Sequence, residues 1–471
     1  MVHPADAHAL QQAIWRSLKG KRYLIFLDDM WDFDALGGSF PDDHMGSRII
    51  LTSRQSDVAP PALLDQEPYD LCPLNQVLSL ELIEKRLSPR NGWTPELRGL
   101  GMQIAKKCHG LPLTICITTG LLANIEPSCW REVPDGLKSG DTSIATQCWS
   151  TLEVSCKHLP DNLKACFLYF VVFSEDQEVS VRRLLRLWMA EGFVRKNTSM
   201  RLEDVAEGYL NDLVRRSLIM VAKRRSDGGI KTCRIHDLLY EFCLKKAKSK
   251  KFFHLLKRCG ELSVPHEPRN FRRLCITFKV EDFEDSKFFC PRARTLLFNV
   301  PEERKWMRKA HFLNLSSIIH SFKNLRVLDS EEVRLHNGFP HGIELLVQLA
   351  FLAIRGGIEV IPSSIAKLSI LETLILFVDA ADCTLSLPDS MWNLQRLKYI
   401  YVRNESSSDG VRLPTKKLDT SSILYKLDRL SGVMILHWDG MEQTMRKFPN
   451  IRRLKCRFST MKVVQKNLTR L

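Results

Sequence analysis

The sequence predicts a multidomain chain in which a partial α/β domain leads into helical domains and then a solenoid of leucine-rich repeats. Three observations carry this. First, 471 residues exceed what one hydrophobic core organises. Second, Tyr23-Leu24-Ile25-Phe26-Leu27 and Arg48-Ile49-Ile50-Leu51-Thr52 are short continuous apolar runs, as suits parallel strands buried on both faces. Third, an apolar-Pro pair recurs at a shared offset in the second half: Phe339-Pro340, Ile361-Pro362, Leu387-Pro388 and Leu413-Pro414.

The first of these elements places acidic groups. Asp28 and Asp29 follow the Tyr23–Leu27 run directly, and the second run ends near Arg54. The interval between the runs is long enough for a parallel crossover, so Asp28 and Arg54 are expected on the same rim of the sheet. In open α/β sheets ligands sit beyond the carboxyl ends of the strands. Carboxylates there can hold Mg²⁺, and an arginine can pair with a terminal phosphate oxygen. An ordinary strand-to-loop transition explains each signal equally well when it is taken alone.

In the middle of the chain, Gly110 follows a helical stretch, where glycine is the usual left-handed stop, and Pro112 suits the first turn of the next helix. Val181, Leu184, Leu185 and Trp188 fall at i, i+3, i+4, i+7 and predict an amphipathic helix ending near Gly192. His236-Asp237 opens another helix with Leu238, Leu239 and Phe242 inward.

The motifs taken together resemble a known family. LIFLDDMW (Leu24–Trp31) and GSRIILTSR (Gly46–Arg54) resemble the Walker B and sensor segments of plant NB-ARC disease-resistance proteins. LCPLNQVLSLELIEKRL (Leu71–Leu87), CHGLPLTI (Cys108–Ile115), CFLYFVVFSED (Cys166–Asp176) with LLRLWMAEGFV (Leu184–Val194), and RIHDLLYEFC (Arg234–Cys243) continue the family's order. The wording is most similar to the coiled-coil class of nightshade-type plants, late-blight-resistance-like. The resemblance implies a P-loop-type nucleotide domain over 1–65, a helical domain over 66–150 and a winged helix over 151–250. A linker over 251–295 and leucine-rich repeats over 296–471 would follow.

It also implies a role for each matched residue. Pro112 would pack against adenine, and His236 would contact the β-phosphate of ADP. Asp28, Asp29, Arg54 and Gly110 would complete the nucleotide-binding set, with Asp28 holding Mg²⁺ when ADP or ATP is bound. Ile235 stands where the family has methionine. One departure is larger. The phosphate-binding loop, GxxxxGK followed by Ser or Thr, should lie upstream of the Asp-Asp strand, and none of the 23 residues before Leu24 makes it. The expectation is therefore an N-terminally truncated relative with weak or absent nucleotide binding and no efficient hydrolysis.

In the second half, Ile343, Ile365 and Met391 follow the apolar-Pro pairs at the same offset, and Leu349, Leu371 and Leu397 follow these. Such a period indicates repeats of one strand and one looser segment. Each repeat buries its leucines only against its neighbours, which leaves a concave face for binding. FKNLRVLD (Phe322–Asp329) and FPNIRRLKC (Phe448–Cys456) resemble outlying copies, PRARTLLF (Pro291–Phe298) is a candidate start, and no obvious capping repeat precedes Leu471.

Composition narrows the function classes. The net charge of +15 is unevenly spread, with an acidic surplus over 1–150 and a basic one over 151–260. It falls in short clusters such as Arg182, Arg183, Arg186 and Lys223, Arg224, Arg225, which read as solvated helix faces or as contacts to an acidic partner or anionic membrane surface. A winged helix can bind DNA, but the resemblance implies packing on the nucleotide domain instead, and nucleic acid is not an expected partner. The 14 cysteines include no Cys-x-x-Cys pair and read as reduced thiols of a cytoplasmic protein, peripheral membrane association remaining open. No apolar run reaches the ~18 residues of a membrane span. The function implied is an intracellular immune receptor acting as an ADP/ATP-binding switch rather than an enzyme. A pathogen effector or guarded host protein would bind at the repeats, with self-association or pairing with longer receptors as further contacts. The alternative is a regulator or decoy of that family which binds no nucleotide.

Overall fold

The structure, a computed structural model, describes residues 4–30, 38–53, 69–87, 92–136, 144–175, 177–196, 200–257, 270–277, 283, 290–299, 312–336, 338–379, 385–404, 411–412, 423–435 and 446–458. Arg54 and the Leu413-Pro414 pair lie outside them. Met1–Pro73 and Leu74–Leu471 form two compact units, each described by itself.

In the first unit, helix α1 (Pro4–Leu18) precedes β1 (Leu24–Leu27) and β2 (Arg48–Leu51). The strands pair in parallel, Leu24 with Arg48 through Leu27 with Leu51. Tyr23 ties the crossover down, its hydroxyl donating to Pro41 O at 2.7 Å.

The second unit begins with helices α2 (Gln76–Arg86), α3 (Pro95–Lys107) and α4 (Pro112–Leu122), followed by the single turn α5 (Val133–Gly136). Asn75 and Thr94 cap α2 and α3, their side chains accepting from the amides of Leu78 and Leu97. Ile83, Ile104, Ala105, Cys108, Ile115 and Trp130 make their common core.

Next come α6 (Ile144–Lys157), α7 (Asp161–Leu168), α8 (Val181–Glu191), α9 (Leu202–Arg215) and α10 (Asp237–Ser249). A three-stranded antiparallel sheet accompanies them, β3 (Val179–Ser180) and the hairpin β4 (Met220–Arg224) with β5 (Ile230–Arg234), in the order β3-β5-β4. Gly228 turns the hairpin at φ +82°. Helix α8 ends where its sequence predicts. Gly192 is left-handed at φ 79°, and the Phe193 amide returns to Trp188 O at 3.0 Å.

The repeats build a parallel sheet of eleven strands among the described residues. They are β6 (His254–Leu256), β7 (Arg273–Ile276), β8 (Thr295–Phe298), β9 (Phe312–Leu313), β10 (Val327–Leu335), β11 (Phe351–Gly356), β12 (Thr373–Val378), β13 (Tyr399–Asn404), β14 (Val411–Arg412), β15 (Arg429–Ile435) and β16 (Arg453–Phe458). Strands β6 and β7 fall within 251–295, the stretch read from sequence as linker; each is a three- or four-residue apolar run too short to stand out among flanking basic residues.

The repeated apolar-Pro pair has a structural meaning. Pro362 and Pro388 adopt the same φ −69°, ψ 147° and each opens a 3₁₀ turn, Ser363–Lys367 and Asp389–Asn393. The residues aligned after them, Ile343, Ile365 and Met391, then Leu349, Leu371 and Leu397, are all fully buried. On the strands, Leu296, Leu328, Leu352, Leu374, Ile400 and Leu430 form one register row inside the solenoid core.

The opposite face carries a second row, Thr295, Val327, Phe351, Thr373, Tyr399, Arg429 and Arg453, in register across seven strands. Two residues on, pointing the same way, run Leu297, Asp329, Ala353, Ile375, Tyr401, Ser431 and Lys455. This face is not empty. Val327, Phe351, Ala353, Ile375, Phe377 and Tyr399 join one continuous core with Leu184, Trp188, Leu210 and Phe242 of the helices before them. Helix α8 is buried on nearly all sides for that reason.

Candidate nucleotide site and the seam between helices and repeats

In the first unit the parallel register brings the ends of β1 and β2 together. Thr52 Oγ donates to Asp28 Oδ1 at 2.5 Å and accepts from the Asp29 amide at 3.0 Å. Met30 N reaches Thr52 O at 2.8 Å, and Ser53 Oγ donates to Met30 O at 2.7 Å. Asp29 takes a left-handed φ of 54° to make this turn. Asp28 is exposed on the rim with Oδ2 outside the Thr52 bond, a geometry that suits a hydrated Mg²⁺ beside a phosphate. The sequence does not single out Thr52, although its place as the polar last residue of the second run was the available signal.

The Gly20 amide donates to Asp43 Oδ2 at 2.6 Å, so Gly20-Lys21 is a carboxylate-bound turn leading into β1. Among the described residues, no group of three or more His, Cys, Asp or Glu is placed to hold a metal.

The second unit holds Gly110, Pro112 and His236. Gly110 is left-handed at φ +71°, and its carbonyl accepts from Leu74 N at 2.9 Å. A β-carbon there would meet Leu74 O at 2.1 Å, so the close approach of the two chains requires glycine. Pro112 is the first residue of α4 and is exposed.

His236 caps α10 and is partly exposed. The Leu238 amide donates to Asp237 Oδ1 at 2.8 Å and to His236 Nδ1 at 3.3 Å, and the His236 Nδ1 also meets the Asp237 carboxylate. That contact fixes the ring and leaves Nε2 as the atom available to a ligand at a helix N-terminus, where anions are favoured.

The first turn of α4 and the start of α10 both act on one buried thiol, Cys148. Thr114, in the first turn of α4, contacts Cys148 Sγ of α6 at 3.2 Å. Burial pushes the Cys148 thiol up, the Thr114 bond opposes this, and the Asp237 charge adds to it. Two of the sequence-predicted segments therefore meet around α6. For the adenine and phosphate groups of ADP or ATP, the chemistry present is an exposed proline, an oriented imidazole and helix-terminal amides.

The other functional arrangement is the seam between helices and repeats. Arg183 of α8 donates to Asp329 Oδ2 from Nη2 at 2.8 Å and from Nε at 3.0 Å, with Glu331 at 3.4 Å and Glu332 at 3.6 Å. Burial works against the Arg183 charge, but Asp329 and Glu331 outweigh it and hold the guanidinium firmly protonated. Glu191 pairs with Arg273 at 2.7 Å and accepts from Thr295 Oγ at 2.6 Å. At the other end, Tyr399 OH donates to Glu203 at 2.6 Å. In the sequence, Arg182, Arg183 and Arg186 read alike, as a solvated helix face or a contact to an acidic partner or anionic membrane surface. Arg183 is instead a half-buried partner of three carboxylates, which only the packing of α8 on β10 decides.

The comparisons agree with this order of parts. The NB-ARC domain model matches residues 2–91, the disease resistance protein winged helix domain matches 172–243, and a leucine-rich repeat region matches 304–471. The putative late blight resistance protein homolog R1B-16 of Solanum demissum is 34% identical over 95% of this chain and 34% of its own length. The late blight resistance protein R1-A of the same species is 34% identical over 96% of this chain and 35% of its own. The chain thus spans about a third of the length of the curated relatives it matches. Among solved structures, the leucine-rich-repeat ectodomain of the Arabidopsis receptor kinase HAESA, in complex with an N-terminally extended IDA peptide hormone, is 15% identical. It covers 44% of this chain and 41% of that one at a TM-score of 0.23, too slight a likeness to inform the arrangement here. With these three segments in this order, and relatives matched over nearly its whole length, the chain belongs to the NB-ARC leucine-rich-repeat disease-resistance proteins.

Proposed function

We propose that this chain acts in plant immunity as part of an intracellular receptor, as a nucleotide-dependent binding switch rather than an enzyme. One observation supports it above the others. Helix α10, which starts at the His236-Asp237 pair, lies in the same continuous core as α8 and the strands β10 to β13. A phosphate held at His236 would therefore bias the packing of the helices that cover the repeats. A ligand shifts such an equilibrium only by its differential affinity for two states. ADP would favour the packed state described here, and ATP with Mg²⁺ a rearranged one. No hydrolytic step is needed for this switching.

A pathogen effector or a guarded host protein would bind the repeats, and self-association or pairing with longer receptors fits the same role. Placement in the cytoplasm, including peripheral attachment to membranes, is part of the proposal. Among the described residues no helix is long and apolar enough to cross a membrane. The second reading, a regulator or decoy that binds no nucleotide, keeps the packed core and dispenses with the switch. The test is the nucleotide released on denaturing the purified chain, compared with a His236→Ala variant of equal helical content. Stoichiometric ADP in the parent, lost in the variant, would support the switch despite the weak binding that the sequence leads one to expect. Folded parent without nucleotide would leave the regulator reading.

A further inference from the structure

The outward rows of the repeat sheet change chemistry along the solenoid. From β8 to β13 they are largely apolar and covered by the helices. At β15 and β16 they become Arg429, Arg453 and Lys455, of which Arg453 and Lys455 are exposed. Three further arginines face this end from the helical side. Arg182 and Arg186 lie one turn apart on α8, and Arg225 leads into the hairpin turn after β4.

Their positions are fixed by contacts. Tyr399 lies between two guanidiniums, with Arg186 Cζ at 4.6 Å and Arg429 Cζ at 5.8 Å from its ring centre. Asp428, beside this end of the sheet, is shared by Arg201 at 3.2 Å, Arg429 at 3.1 Å and Arg452 at 2.6 Å, so it neutralises none of them fully. Neither Arg182 nor Arg186 makes an ion pair among the described residues. Burial brings the Arg186 guanidinium down to about 10; Tyr399 and Glu331 oppose this, while Arg429 and Arg182 add to it. Burial also lowers Arg182, joined by Arg429, Arg225 and Arg453, with Asp227 opposing.

The contrast with the other end of the seam is direct. There three carboxylates surround Arg183; here, among the described residues, Arg182, Arg186, Arg225 and Arg453 make no ion pair and Arg429 shares Asp428 with two other arginines. A cluster of like charges held against repulsion by the packing is a preformed site for the opposite charge.

We propose that Arg182, Arg186, Arg225, Arg429 and Arg453 form a binding site for a small soluble polyphosphate, bridging α8, the β4–β5 hairpin and the last two strands of the repeats. The spacing favours this ligand class. One helical turn separates neighbouring arginines on α8 by roughly 5–6 Å, and adjacent strands lie about 4.8 Å apart. An acidic peptide offers one charge per residue of ~3.3 Å along a line. Linked phosphates present several charges and many acceptor oxygens within the same span, and guanidinium forks match them two bonds at a time. A bound polyphosphate would fasten helices to repeats at the end where they repel.

The experiment uses inorganic tripolyphosphate as the probe, titrated calorimetrically into the whole chain at low salt. The parent should bind, and an Arg182→Gln/Arg453→Gln double variant should bind at least about tenfold more weakly. Because both replaced side chains are exposed and mutually repelling, the variant without ligand should melt at or above the parent's temperature. Tripolyphosphate should reverse that order. His236→Ala should bind the probe as the parent does, which separates this site from the proposed nucleotide site. Equal affinity in parent and double variant, absence of binding in the parent, or loss of binding in His236→Ala would overturn the assignment. So would a doubly phosphorylated peptide binding more tightly than tripolyphosphate, by pointing to a protein ligand. A lower melting temperature of the ligand-free variant would show that the cluster is structural cement instead.

Discussion

The strands of the first unit and those of the repeats begin from the same sequence signal and end in opposite surroundings. Both are short apolar runs paired in parallel register. On β12 every residue from Thr373 to Val378 is buried, because the leucine row faces the solenoid core and the outward row lies under helix α8 and its neighbours. On β1 and β2 the side chains alternate between exposed and half-buried, with Leu24 71%, Phe26 60% and Ile50 50% exposed. An apolar run states a need for burial on both faces, and elements elsewhere in the chain decide whether that need is met.

The largest effect should come from the repeats at Gly432, on the bulge between Ser431 and Val433 of β15. It sits at φ +85°, and a β-carbon would lie 1.6 Å from Val402 O. Gly432→Val should destabilise the repeats by more than about 4 kcal/mol, an outlier among point mutants, measured by urea unfolding. Tolerance at that position would show that β13 and β15 are not packed as described.

Next is the seam. Arg183→Met leaves Asp329, Glu331 and Glu332 facing one another without their cation and should cost about 3–5 kcal/mol. Asp329→Asn should cost less, since Arg183 keeps two carboxylates. The reverse order would mean that Glu331 and Glu332 contribute nothing.

The comparison itself is tested by a pair of truncations. Leu374→Ala in the buried row of β12 should cost about 2–5 kcal/mol. Phe26→Ser on β1 should change stability by no more than about 0.5 kcal/mol, as at an exposed site. A large cost at Phe26 would show that this strand is covered in solution.

The smallest effect is chemical. Burial pushes Cys108 up to about 11 and Cys233 up to about 12, from an ordinary value of 9.0, whereas Cys72 and Cys129 are exposed. Alkylation at pH 8, followed by mass spectrometry, should label Cys72 and Cys129 first and spare the buried thiols until unfolding. A thiol whose folded value is raised contributes stability that is complete below the unfolded value and is lost as pH rises through the folded one. Stability should therefore decline between about pH 9 and pH 12, while a flat profile there would contradict the burial.

Much of this was legible in the residues. The repeated apolar-Pro pair carried the solenoid because its two partners, a buried apolar residue three positions on and a leucine after that, are local and periodic. Helix α8 and its stop at Gly192 were legible for the same reason, as was the rim position of Asp28 at the end of an apolar run. Strands β6 and β7 were not, since three or four residues carry too little periodicity to separate from a basic linker.

The sequence by itself determined the kinds of parts and their order, because strand, helix, cap and repeat signals depend on neighbours along the chain. Only the tertiary structure decided which charges are buried and which face is covered. Arg182, Arg183 and Arg186 are indistinguishable in sequence, yet one is locked among carboxylates, one stacks on Tyr399 and one stays exposed. The physical reason is that burial and electrostatic pairing are set by groups more than a hundred residues away, brought into contact only when α8 settles on the repeats.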